Sequence, residues 1–311
     1  MRIAVIDIGT NTINLLIADT RQDSSYNIIL ETAYPAKLGK GGINDKMLLP
    51  EAMDRGMTAL KTHLETIQRY NVEKVVCIAT SAMRDAKNSR EFIQRVRDEL
   101  DLNIKIVDGK KEAQLIYDGV KQVAPIGKKP VMILDIGGGS NEFIIANSEG
   151  VLWKHSFNLG VARLLDMFHP SDPVTKDEIK DLERYFRKEL KILFETMQQY
   201  SVETLIGASG SFDTMAAMVA AEHHPHIDIM LSTTYFIPVE HFYEWNRKLL
   251  RSNYKERLTM KKMAIHRVDT IVLAGIFINF ILRELKIKEI WQCSFALKEG
   301  TIYQIIHDQL K

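Results

Sequence analysis

Short apolar runs, each closing on a small residue or a carboxylate, alternate along this chain with longer stretches of helical periodicity. Residues 3–6, 13–18 and 26–34 read as three strands in succession. Pro50 opens a helix to about residue 70, with Ala52, Met53, Met57, Leu60, Leu64 and Ile67 on one face. The unbroken apolar run 75–79 predicts a strand covered on both faces. It delivers Thr80-Ser-Ala-Met-Arg84 at its C-terminal end, where open α/β sheets hold ligands. A helix over 89–100, a strand over 104–107 and a helix over 110–123 follow. Strands over 131–136, 141–146 and 150–157 then repeat the opening triplet. A helix starts after Leu159, and one long amphipathic helix is expected over 175–199, opened by the capping-box sequence Thr175-Lys-Asp-Glu178. A short strand at 204–206, helices over 239–250 and 269–286 and a last helix from Leu297 complete an α/β pattern.

Two stretches in that pattern are copies of one frame. Asp7-Ile-Gly-Thr-Asn-Thr-Ile-Asn-Leu-Leu-Ile-Ala18 aligns without a gap on Asp135-Ile-Gly-Gly-Gly-Ser-Asn-Glu-Phe-Ile-Ile-Ala146, 128 residues later. Each is strand, tight small-residue turn, strand. Either alone reads as a glycine-rich hairpin with a stray acid. Repeated at domain spacing, the pair predicts two similar domains that each offer a turn to one ligand between them. Gly137, Gly138 and Gly139 lack a Cβ, so a ligand can approach their amides, and successive N–H groups form an anion-binding concavity. Asp135 and Glu142 flank the turn and could hold a divalent cation that offsets the anion. Gly207-Ala-Ser-Gly-Ser211 is a third small-residue turn before a helix. With Arg84 able to clamp oxygens through parallel N–H bonds, the set describes a phosphate-handling site. Phosphoryl transfer asks mainly for positioning, charge neutralisation and an oriented nucleophile.

Composition narrows the class. At 311 residues, the prior of roughly 100–200 residues per domain suggests two domains, with the boundary in the Pro/Gly/Lys-bearing stretch 122–130, giving 1–124 and 125–311. Hydrophobic residues are 46% and charged residues 26%, as in a globular protein with a substantial core. A net charge of +1 provides no global field for DNA. The apolar stretch 271–282 is too short to span a membrane. The N-terminus enters a strand directly, and Cys77 and Cys293 suit buried thiols in a reducing compartment, so a cytoplasmic protein is expected. Residues 251–267 carry six Lys/Arg against one Glu, either a solvated face or a track for an extended anion. His223-His-Pro-His226 is expected to be a solvated loop, since Pro225 breaks any helix there. No P-loop or paired-cysteine zinc pattern is present.

The duplicated Asp-Ile-Gly frames resemble the phosphate motifs of the actin-like ATPase and sugar kinase superfamily. More narrowly, the chain resembles the short two-domain form of the exopolyphosphatase/guanosine pentaphosphatase family. Asp7–Thr12, Ala79-Thr-Ser-Ala-Met-Arg-Asp-Ala86, Asp108-Gly-Lys-Lys-Glu-Ala113, Asp135–Glu142 and Gly207-Ala-Ser-Gly210 match its motifs in order. Arg267-Val-Asp269 with Gly275, and Leu297-Lys-Glu-Gly300, match weaker ones. The resemblance implies two duplicated actin-like (ribonuclease H-like) domains, each a mixed sheet flanked by helices, with an interdomain cleft and a last helix able to pack back on the first domain. It implies a phosphoanhydride hydrolase that uses Glu112 as general base, with Arg84, Asp135 and Glu142 in catalysis. Asn11, Thr12, Gly137, Gly138, Gly139, Ser140, Ser209, Gly210 and Arg267 would hold phosphate, and Asp7, Asp135 and Glu142 would hold Mg²⁺, or Mn²⁺ in its place. The family pattern has Glu where this chain has Lys111, and Arg where it has Lys37 and Lys298; lysine keeps the charge of those two but loses the bidentate fork. Inorganic polyphosphate is the expected substrate, with guanosine pentaphosphate conversion to the tetraphosphate as the alternative. A non-catalytic polyphosphate or alarmone sensor and an ATP-dependent kinase are further readings. A homodimer is the family expectation.

Overall fold

The computed structural model describes residues 1–208 and 210–307. Its first sheet contains β1 (Arg2–Ile8), β2 (Ile13–Thr20), β3 (Tyr26–Tyr34), β4 (Lys74–Ala79) and β5 (Ile104–Ile106), in the order β3-β2-β1-β4-β5. Between and after these strands run α1 (Pro50–Arg69), α2 (Ser81–Asp85), α3 (Ser89–Leu100) and α4 (Gly109–Val120). The second sheet contains β6 (Val131–Ile136), β7 (Asn141–Asn147), β8 (Gly150–Phe157), β9 (Thr204–Ala208), β10 (Thr234–Ile237) and β11 (Glu289–Cys293), in the order β10-β11-β9-β6-β7-β8. Its helices are α5 (Val161–Phe168), α6 (Lys176–Glu189), α7 (Lys191–Met197), α8 (Gly210–His223), α9 (Val239–Arg251), α10 (Tyr254–Thr259), α11 (Ile271–Leu285) and α12 (Leu297–Ile306).

The repeat seen in the sequence is a repeat of hydrogen-bonding pattern. In each sheet three antiparallel strands are followed by a parallel neighbour, β4 beside β1 and β9 beside β6. Even the irregularities correspond. The register of β2 on β3 shifts between Ile17 and Ala18, and that of β7 on β8 between Ile145 and Ala146. The same frame therefore bends at the same residue in both halves, as bulges do.

One helix joins the halves. α4 begins at Asp108, whose side chain accepts the Lys111 amide at 2.7 Å, the usual satisfaction of an orphan N–H at a helix start. Its apolar face, Ala113, Leu115, Ile116 and Val120, packs with Ile78 of β4, Ile133 and Ile144 of β6 and β7, and Cys293 of β11. A Cβ on Gly119 would collide with the Ala296 carbonyl and one on Gly300 with the Leu115 carbonyl, so α4 and α12 meet backbone to backbone. α12 also covers β1 and β2, with Ile302 and Ile305 against Ile3, Val5 and Leu16. No helix among the described residues is long and apolar enough to cross a membrane.

Three expectations are corrected. The helix expected over 175–199 is two, α6 and α7, broken at Leu190; the buried stripe Leu182, Phe186, Leu190, Leu193 runs through the break, so periodicity carried no sign of it. β10 and β11 were not anticipated, because Glu289 and Gln292 interrupt the apolar character of a strand that is buried in mid-sheet. Of the expected solvated loop at 223–226, Pro225 and His226 are exposed turn residues, but His223 and His224 are half-buried. His223 ends α8 and stacks on His241 with ring centroids 3.7 Å apart, and His224 Nδ1 lies 2.6 Å from the Tyr235 hydroxyl.

Candidate active site

The two frames meet face to face. In each, the glycine after Asp-Ile donates its N–H across the turn at 3.0 Å, Gly9 to the Thr12 carbonyl and Gly137 to the Ser140 carbonyl. The cross-strand partner of Asp7 is Asn14, and that of Asp135 is Glu142. Asn14 Nδ2 donates to Asp7 Oδ2 at 2.9 Å, whereas Glu142 Oε1 accepts from Ser156 Oγ of β8 at 2.6 Å. The second turn nests in the first. A Cβ on Gly138 would lie 2.9 Å from Asn11 Cγ, and one on Gly139 2.5 Å from Ser81 Oγ and 2.7 Å from Thr10 Oγ1. The N-terminal amides of α5 hold the back of the turn, Val161 N–H donating to the Gly137 carbonyl and Ala162 N–H to that of Gly138.

Beside the turns, Glu112 in the first turn of α4 is buried, and its Oε2 accepts from Arg84 Nη1 at 2.7 Å. Burial pushes its carboxyl well above the usual glutamate range, and the nearby Glu142 pushes it further, against the pull of Arg84. Glu142 is raised by burial too, opposed by hydrogen bonds from Ser140 and Ser156. Asp7 is raised by burial, opposed by Asn14 and the Lys298 ammonium. Three carboxyls with raised proton affinity, Glu112 and Glu142 buried and Asp7 half-buried, share one space. Such a space accepts protons or cations readily.

That space is a chamber of about 100 Å³. It brings together Asp7, Asn11, Thr12, Glu112, Asp135, Gly137, Gly138, Gly139, Ser140, Glu142, Gly210 and Arg267, all expected from the sequence. Arg84 is not in the lining; it holds Glu112 from behind and also donates to the Val107 carbonyl at 3.1 Å. Ser209 lies outside the described residues. Gly210, at φ +51°, sits against the Arg267 guanidinium, whose pKa burial lowers despite Asp213 and Asp135.

Several contributors had escaped the sequence. Thr10 Oγ1 and Ser81 Oγ are buried in the lining with no hydrogen-bond partner among the described residues. A buried hydroxyl left unpaired is costly, and a ligand oxygen held at the turn would offer both a partner. Both residues sit inside the motifs Asp7–Thr12 and Ala79–Ala86, which was the available signal. Lys298 is buried, with Nζ 3.1 Å from Glu31 and 3.7 Å from Glu299. It lines, with Asp7, a larger adjoining chamber of about 770 Å³. The basic stretch 251–267 divides its labour. Arg257 is buried and holds the Val268 and Ser252 carbonyls and Asp172, Arg267 belongs to the site, and the exposed Lys261 and Lys262 line the larger chamber.

Comparison with known proteins identifies the family and the fold. The model of the Ppx/GppA phosphatase family matches residues 16–309. Exopolyphosphatase 2 of Mycobacterium tuberculosis is 29% identical over 294 residues, covering 92% of this chain and 91% of that protein. The crystal structure of an exopolyphosphatase from Cytophaga hutchinsonii superposes with a TM-score of 0.96 at 35% identity, covering 99% of this chain and 98% of that one. A Ppx/GppA family member from Aquifex aeolicus gives a TM-score of 0.81 at 25% identity, covering 100% and 99%. With its two mixed, open sheets in the actin-like arrangement and its paired glycine-bearing turns, the chain belongs to the Ppx/GppA phosphatase family, whose enzymes hydrolyse phosphoanhydride bonds.

Proposed function

We propose that this protein is an exopolyphosphatase that removes the terminal phosphate of inorganic polyphosphate, with water activated by Glu112. The observation that carries this is the placement of Glu112. A buried, proton-attracting carboxylate held by Arg84 opens onto the same small chamber as the glycine turn and two unpaired hydroxyls. A base is most effective when its pKa lies near the working pH, and the raised proton affinity of Glu112 moves it that way. The terminal phosphate would be held by the amides around Gly138–Ser140, the hydroxyls of Thr10, Thr12 and Ser81, and Arg267. Glu112 would take a proton from the attacking water as its oxygen bonds to the terminal phosphorus. The bridging P–O bond breaks, the shortened chain leaves with its oxygen, and orthophosphate is released.

The donor set fits Mg²⁺ or Mn²⁺. Asp7, Asp135 and Glu142 bring hard oxygen atoms to the lining of the chamber, and a cation would relieve the burial cost that raises Asp7 and Glu142. Among the described residues no three His, Cys, Asp or Glu side chains converge closely enough to hold a metal ion by themselves. This suits a cation that keeps waters and takes only one or two carboxylates plus phosphate oxygens. When bound, it would neutralise charge on the phosphate oxygens.

The test is orthophosphate release from long-chain polyphosphate by the purified protein with Mg²⁺ or Mn²⁺. Release is expected, and Glu112→Gln should lower kcat by about 10²–10⁴-fold. No release with either metal, or equal release from the variant, overturns the reading; tight binding without turnover would instead mark a sensor. A second reading, hydrolysis of guanosine pentaphosphate, is favoured by the adjoining chamber. Its walls set Ala217, Ala220, Ala221 and Ile229 beside Lys261, Lys262 and Arg267, with Glu31 and Asp213 opposing that charge. Such mixed walls suit a nucleoside as well as a phosphate chain. Competition between the two substrates decides it by the ratio of kcat/KM.

A further inference from the structure

One buried arginine outside the chamber lining bridges the two halves beside this site. Arg163, in α5 of the second half, spends its three guanidinium nitrogens on three separate segments. Nε donates to the Gly139 carbonyl at 3.1 Å, Nη1 to the Ile43 carbonyl at 3.3 Å, and Nη2 to Asp85 Oδ2 at 2.7 Å. Gly139 is the phosphate turn of its own half; Ile43 and Asp85 belong to the first half. The other oxygen of Asp85 faces Arg84 Nε at 4.0 Å, and Arg84 in turn holds Glu112. Asn44, next to Ile43, closes the same seam by donating to the Arg163 carbonyl at 3.2 Å and to Asp166 at 3.0 Å.

We propose that Arg163 is a positioning residue that ties closure of the two halves to alignment of the base, through Asp85 and Arg84 to Glu112. The planar, fixed fork of arginine is what allows one side chain to satisfy three acceptors in different directions. Lysine at this position keeps the charge and cannot reproduce that geometry. When α5 and α2 are together, Arg163 fixes Asp85, and the fixed carboxylate faces Arg84 Nε at 4.0 Å while Arg84 Nη1 donates to the Val107 carbonyl and Glu112. The Arg163 guanidinium also pins the carbonyl of Gly139, so the phosphate turn and the base are set by one group. Closure and chemistry are thereby coupled through hydrogen bonds from Arg163 to Gly139 and Asp85 and from Arg84 to Glu112, joined by the longer Asp85–Arg84 ion pair at 4.0 Å.

The inference rests on Glu112 as the base, and the experiment separates the two. Steady-state kinetics on polyphosphate would be measured for Arg163→Met, Arg163→Lys, Asp85→Asn, Glu112→Gln and the double variant Arg163→Met/Glu112→Gln. Misplacement of a catalytic group by a fraction of an ångström to an ångström costs on the order of 10²-fold. Arg163→Met and Arg163→Lys should therefore lose roughly 100-fold in kcat, with KM changed much less. Asp85→Asn, which keeps the shape and disturbs packing least, should lose a smaller factor in kcat in the same pattern. The acidic limb of the kcat/KM profile should move to higher pH in all three, because Glu112, still facing Glu142 and Asp7, is less firmly held by Arg84. Guanidinium added to Arg163→Met should restore part of the lost kcat, and the double variant should be no slower than Glu112→Gln alone. Additive losses in the double variant, or an unchanged kcat and pH profile in both Arg163→Met and Asp85→Asn, overturn the inference while leaving Glu112 in place. Full activity of Glu112→Gln overturns the base assignment itself.

Discussion

The two turn frames share a backbone and differ in what they present. Their common glycine, Gly9 or Gly137, has the same local cause in both: a Cβ there would lie 2.9 Å from the Thr12 carbonyl or 2.7 Å from the Ser140 carbonyl, the acceptor of its own turn. The next two positions diverge. The first frame has Thr10 and Asn11, whose side chains project toward the second; the second has Gly138 and Gly139, emptied of side chains at the places where Thr10, Asn11 and Ser81 arrive. At the cross-strand position the first frame has a neutral amide, Asn14, and the second a carboxylate, Glu142. A duplicated hairpin has thus been divided into a half that supplies hydroxyls and a half that supplies bare amides and negative charge. Identical scaffold does not mean identical role; the roles are set by what each copy meets across the cleft.

The comparison makes its largest claim at Gly139. A methyl group there would meet both Ser81 Oγ and Thr10 Oγ1, so Gly139→Ala should lower kcat/KM by about 10²-fold or more by displacing the turn. The check is steady-state kinetics on protein whose circular dichroism matches wild type. Near-normal activity would mean that the two turns do not need to nest.

A smaller effect separates the charges of the frames. Glu142 raises Glu112 more than Asp7 does, so Glu142→Gln should move the acidic limb of activity to lower pH further than Asp7→Asn. The same carboxyl should show in stability. Its folded-state pKa is raised, so it favours the folded state relative to the unfolded one below the ordinary glutamate range. That contribution is lost as pH rises through the raised value. In metal-free protein, Glu142→Gln should accordingly raise Tm by a few degrees near pH 8 and by less near pH 5. A gain that grows toward acid would reverse the sign and refute the account.

The smallest effects test the two donors that stabilise the frame carboxylates. Asn14→Ala and Ser156→Ala each remove one hydrogen bond, to Asp7 and Glu142 respectively. Each should cost about 1–2 kcal/mol in urea unfolding where the carboxylate is ionised and less than tenfold in kcat/KM. No loss of stability in either variant would show that these donors do not support the frame carboxylates.

Local signals in the chain were readable where one residue type had one physical meaning. Thr175 and Glu178 form the expected capping box in both directions, and Pro50 starts α1 where its missing N–H costs nothing. The acids and glycines of the second turn could be named from the repeat itself, whereas Glu112 and Arg267 were named only through the resemblance to the family. What stayed hidden depended on neighbours distant in sequence. Arg257 looked like one more cation in a basic run and is a buried brace. β11 looked too polar for a strand and is paired on both edges. Thr10 and Ser81 were inside recognised motifs, yet their hydroxyls matter only because Gly139 comes within reach of both.

The sequence by itself determined the duplicated frame, its turns and its acids, since strand alternation and glycine's freedom act over a few residues. Only the tertiary structure decided that Gly138 and Gly139 must be bare, that Arg84 faces Glu112 rather than the open chamber, and that Arg163 binds the halves together. Those outcomes depend on which atoms approach across the cleft, and the approach is set by packing α4 and α12 between two sheets. No window of the chain contains that information.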